Sequence, residues 1–78
     1  MTREALAKLN KKQIQYCTTL SVLISRDRER GVQCLVDKES GKLRGYLECL
    51  EDMKVLTNSE MKALYLWFFS EKRKEKAV

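Results

Sequence analysis

Apolar residues recur along the first third of this chain at alternating steps of three and four. Leu6, Leu9, Gln13, Tyr16, Leu20 and Leu23 follow that rhythm, with Gln13 the one polar member. Such spacing is the seam of a helix packed on another helix. Cys17 and Ile24 widen the seam into a core-facing stripe. The pattern predicts one long helix over about residues 2–30. Thr2 is its candidate N-cap, with Glu4 in the first turn. Gly31 is the first strong stop signal, and Arg28 and Arg30 suit the negative end of the helix dipole.

A second segment, about residues 32–53, opens with Val32, Leu35 and Val36 and continues with Leu43, Tyr46, Leu47, Leu50 and Met53. Between them Asp37 to Lys42 holds no apolar residue. The apolar phase persists across this gap and proline is absent, which favours a helix over a strand hairpin starting at Val32. Gly41 and Gly45 weaken that helix by about 1 kcal/mol each relative to alanine. The third segment has a sharper start. Thr57-Asn58-Ser59-Glu60 is a capping box, and Leu56 and Met61 stand at the positions of a hydrophobic staple. A helix over about 58–72 follows, then a charged tail over 73–78. The connection between the second and third helices is short, so the two are antiparallel neighbours. The expected fold is a single all-α domain of three helices, with a long N-terminal helix and a C-terminal antiparallel helical hairpin.

The run Leu43-x-x-Tyr46-Leu47-x-x-Leu50-x-Asp52-Met53-Lys54-Val55-Leu56-Thr57-x-x-Glu60-Met61 resembles the short helical hairpin called SHOCT, found at the ends of many bacterial proteins. The likeness spans residues 43–65. Lys54 stands where that hairpin carries its turn glycine. Residues 64–69 are apolar where the hairpin is mixed and charged. The resemblance implies oligomerisation and, loosely, a link to nucleic-acid-associated proteins; it brings no catalytic residue. Residues 42–53 and 63–68 are also similar to small proteins of Firmicutes mobile elements, which implies a cytoplasmic accessory protein.

Composition narrows the function classes. The 78 residues include 16 Lys and Arg against 11 Asp and Glu, a net charge of +5, and no histidine or proline. Without histidine the usual general base and the commonest metal ligand are missing. The three glycines are isolated, so no phosphate loop exists. Cys17, Cys34 and Cys49 form no C-x-x-C pair and read as free thiols of a reducing cytosol, Cys17 and Cys49 as buried fillers and Cys34 as exposed. The longest apolar run, Ala63 to Phe69, has seven residues, far short of the roughly 20 of a membrane span. No cofactor, metal site or enzymatic activity is expected.

Two features point to partners. Met61, Leu64, Tyr65 and Phe68 form one face of the third helix, which leaves Leu66, Trp67 and Phe69 pointing elsewhere. Exposed aromatic and leucine side chains of this kind anchor interfaces. They predict a protein–protein interaction or oligomerisation module whose partner is a second copy or another protein. The alternative is a nucleic-acid accessory protein. On one continuous first helix, Lys8, Lys11, Lys12, Arg26 and Arg30 share one face, where they could track phosphates. A helix-turn-helix reader is disfavoured, because the third helix offers Lys62 and then only apolar residues for base edges.

Overall fold

The computed structural model describes residues 2–70, and these residues form four α-helices and no strand. They are α1 (Thr2–Ala7), α2 (Lys11–Glu29), α3 (Gln33–Asp52) and α4 (Asn58–Phe69). The fold is all-α, as the periodicity predicts. The long first helix is the exception: it is broken into α1 and α2 at residues 8–10. Asn10 causes the break. Its backbone is extended, its side-chain oxygen accepts from the Gln13 N–H at 2.8 Å, and its own N–H donates to Gln13 Oε1 at 2.9 Å. This is a second capping box, with asparagine and glutamine in place of threonine and glutamate. Gln13 is therefore a cap residue, not a polar member of a seam. Thr2 lies inside α1 rather than before it.

The break lets α1 turn away and pack on α4, while α2 packs on α3 and α4. Ala5 and Leu9 enter the core from the N-terminal side. On α2 the buried apolar residues are Cys17, Leu20 and Ile24, while Leu23 is half-buried and Tyr16 leans outward onto Tyr46 at 4.6 Å. Val36, Leu43, Leu47 and Leu50 of α3, with Leu56, Met61, Leu64 and Phe68, complete one core.

Helix α3 runs unbroken through Asp37 to Lys42, so the helical reading of that stretch holds and the strand alternative does not. It ends in a Schellman motif: Val55 N–H donates to Leu50 O and Lys54 N–H to Glu51 O, both at 2.9 Å. Lys54 carries the left-handed backbone at φ 63°. Helix α2 ends in the same motif, with Val32 bonded to Asp27 O, Gly31 bonded to Arg28 O, and Gly31 at φ 74°. The capping box at Thr57 forms as predicted, and the staple residues Leu56 and Met61 are both buried.

Helix α4 stops at Phe69 rather than near residue 72, and Ser70 is extended. Two α2 side chains hold the end of α4. Ser21 Oγ donates to the Phe68 carbonyl at 2.6 Å and Arg28 Nη2 to the Phe69 carbonyl at 3.0 Å. These carbonyls would otherwise lack partners at a helix end, and the arginine also answers the negative pole of the helix. The predicted charged tail at 73–78 lies outside the described residues.

Candidate interaction surface

The structure separates the three residues singled out on α4. Phe69 is half-buried beneath the Arg28 guanidinium, 4.5 Å from its ring centroid, and stacks on Tyr65 at 5.7 Å. Trp67 is also half-buried; it meets Phe68 edge-on at 4.9 Å and packs against the core. The expectation that both point away from the core is corrected. Helix α2 crosses the end of α4 and covers more of it than one face. Leu66 alone of the three is open, at 65% exposure.

Leu66 borders a groove of about 250 Å³ between α3 and α4. Met61, Tyr65 and Leu66 supply its apolar wall, and Lys62 and Arg44 stand at its edge. Lys62 and Leu66 are four residues apart on α4 and share a face. Arg44 Nε lies 3.4 Å from Glu48 Oε2, an exposed pair on one helix that contributes little. Sequence spacing points to Leu66 but not to Arg44, which enters only because α3 and α4 are antiparallel neighbours.

The five basic residues do not form one stripe. Breaking the first helix removes Lys8 from α2, and its ammonium binds Glu60 on α4 at 2.8 and 2.9 Å from the two carboxylate oxygens. Glu60 also accepts the Thr57 N–H of its own capping box at 2.9 Å. The Lys8 hydrogen bond, followed by the backbone bond at Thr57, holds the Glu60 carboxyl below its ordinary value. Arg26 and Arg30 flank the buried carboxylate of Asp27, at 3.8 and 3.6 Å from Oδ1. Lys11 and Lys12 remain exposed in the first turn of α2. Lys11 there borders a shallow apolar groove of about 490 Å³ on α2 beside Ile14, Thr18 and Val22.

Asp27 is 1% exposed, and it faces Glu39 across the α2–α3 contact. Both Asp27 oxygens and Glu39 Oε1 are buried without a hydrogen-bond donor among the described residues. Burial raises the Glu39 carboxyl first, with the hydrogen bond and charge of Asp27 adding to it against the pull of Arg26 and Lys42. Glu39 stands in the stretch of α3 that has no apolar residue.

All three cysteines are free. Cys17 is buried, and burial pushes its thiol up to about 11, far from a reactive thiolate. Cys34 is exposed as expected, whereas Cys49 is exposed rather than a core filler. Among the described residues no cluster of acidic or thiol side chains is arranged to hold a metal, and no helix is long and apolar enough to cross a membrane. No protein-family model, curated protein or solved structure matches the chain.

Proposed function

We propose that this chain is a non-enzymatic protein–protein interaction module whose α3–α4 groove receives an apolar segment bearing acidic residues from a partner protein. The observation that carries this reading is Leu66, a large apolar side chain 65% exposed at the lip of a formed groove. Tyr65 and Met61 give the groove a floor that buries apolar surface. Lys62 and Arg44 at its edge favour carboxylates, as does the net charge of +5. The phosphate-tracking alternative is weaker, because Lys8, Arg26 and Arg30 already lie against carboxylates.

The test is a photo-cross-linking amino acid placed at Leu66 in the cell of origin, with the captured peptide sequenced. The expected adduct is an apolar segment of another protein flanked by Asp or Glu. It should decline when Lys62 and Arg44 are changed to glutamate. Adducts confined to nucleic acid, or none at all, would refute the proposal.

A further inference from the structure

The break between α1 and α2 runs against the chain's own apolar pattern. That pattern continues at steps of three and four through residues 8–10, as one uninterrupted helix requires. At 100° per residue, Ala5, Leu9, Cys17, Leu20 and Ile24 of such a helix lie within about 120° of one another, a single core-facing stripe. The two hydrogen bonds of the Asn10–Gln13 box oppose that continuation. Helix α1 has six residues, too few to persist without packing. Its seat is the burial of Ala5 and Leu9 and the ion pair from Lys8 to Glu60 of α4. A straightened first helix lifts this arm off α4 and carries Ala5 about 9 Å beyond Lys11. One chain then presents two complementary surfaces: the apolar arm, and the place beside Glu60 that the arm had filled.

We infer that α1 is an exchangeable arm, and that two copies of the chain associate by straightening residues 8–10 and docking each α1 on the α4 of the other. The contacts that seat the arm in the monomer are made again between chains. Ala5 and Leu9 enter the core of the second copy, and Lys8 meets Glu60 of the partner subunit. Each chain gives up its Asn10 cap and gains the backbone hydrogen bonds of a continuous helix across the former break. A short connection beside the exchanged element favours such a swap, and exchange of both arms closes the assembly at two copies. The dimer is the minor form at low concentration, because pairing costs freedom of motion while the arm's apolar contacts stay the same in kind. This inference goes beyond the interaction-module reading at a contact separate from the α3–α4 groove, and either can fail without the other.

Lys8→Glu and Glu60→Lys test the exchange through charge. Either variant alone sets like charges at the seat of the arm, in the monomer and in a swapped homodimer alike. In a swapped heterodimer of the two variants both pairs become attractive again. Equimolar variants, unfolded together in urea and refolded, should pair with each other at least about tenfold more tightly than either pairs with itself, as read by sedimentation equilibrium of the full chains up to about 1 mM. Both variants keep a net positive charge, so general attraction between the chains does not produce that preference. Asn10→Ala removes the bonds that hold the break and alters no charge. Loss of the cap is worth about fivefold per chain, so this variant should dimerise roughly thirtyfold more tightly than the original. A mixture that pairs no better than its separate components overturns the inference. So does an Asn10→Ala chain that stays monomeric at the highest concentration.

Discussion

Two junctions in this molecule solve the same problem with different residues. Before α4 the chain turns through Lys54 to Thr57 and restarts on the box Thr57–Glu60. Before α2 it turns through Lys8 to Asn10 and restarts on the box Asn10–Gln13. Each box satisfies two backbone N–H groups that a helix start leaves without partners. The first box ends in a carboxylate and the second in a neutral amide. That difference lets Glu60 do more than Gln13, because its charge also draws in Lys8 from the other junction. One side chain thereby caps α4 and ties the α1–α2 connection to it.

Glu60→Ala should break this asymmetry most severely. It removes the reciprocal half of one box and the cross-junction ion pair together. Its midpoint in urea should fall further than that of Lys8→Ala, which removes only the ion pair. Equal losses in the two variants would mean that the capping half contributes nothing. Thr57→Ala and Asn10→Ala come next, each costing about 1 kcal/mol through the lost cap. The first variant should unwind the start of α4. The second should let α1 and α2 approach the single helix that the leucine spacing favours, detectable as increased helicity at residues 8–10 by NMR chemical shifts.

That competing spacing explains why one junction was legible and the other was not. The Thr57 box follows a gap in the apolar pattern and reads as a start. The Asn10 box sits inside a run of threes and fours that continues through it, and Gln13 fits that run as a tolerated polar member. Periodicity favours continuity through Asn10, while in the molecule the Asn10 cap and the burial of Leu9 in the core prevail. The α3 helix was legible because its apolar phase persists across Asp37 to Lys42, and the turn at Lys54 because that residue stands at the glycine position of the hairpin it resembles. The site was half legible. Leu66 follows from the surplus of apolar residues on α4, but the shielding of Trp67 and Phe69 depends on where Arg28 of α2 arrives, which no local pattern encodes.

Lys54→Gly sharpens the comparison with the α2 end, where Gly31 already fills the equivalent position. A side chain at φ 63° is strained. The substitution should stabilise by several tenths to about 1 kcal/mol despite the freer unfolded chain. Chemical denaturation reads it directly, and destabilisation would mean that Lys54 is not under strain.

The smallest effect is the pH dependence, which has two opposing parts. Glu60 is held below its ordinary value of 4.5, so its contribution is full above that value and is lost as pH falls through the lowered one. Glu39 is held above 4.5, so its contribution is present below that value and is lost as pH rises through the raised one. Urea midpoints against pH should show Glu60→Gln losing its deficit in acid. Glu39→Gln should gain on the parent as pH rises towards neutrality. Parallel profiles for the three proteins would contradict both assignments.

The glycines of α3 have a consequence of another kind. Nothing lies within 4 Å of where a Cβ would stand at Gly41 or at Gly45, so no close packing demands glycine at either place. They leave the middle of a long helix weakly propagating, next to the turn where Glu39 faces Asp27. Amide hydrogens between Lys38 and Arg44 should therefore exchange with deuterium through local opening, well before those near Leu47 and Leu50, which should wait for global unfolding. Alanine at both glycines should close that gap, turning α3 from two loosely coupled halves into one cooperative rod.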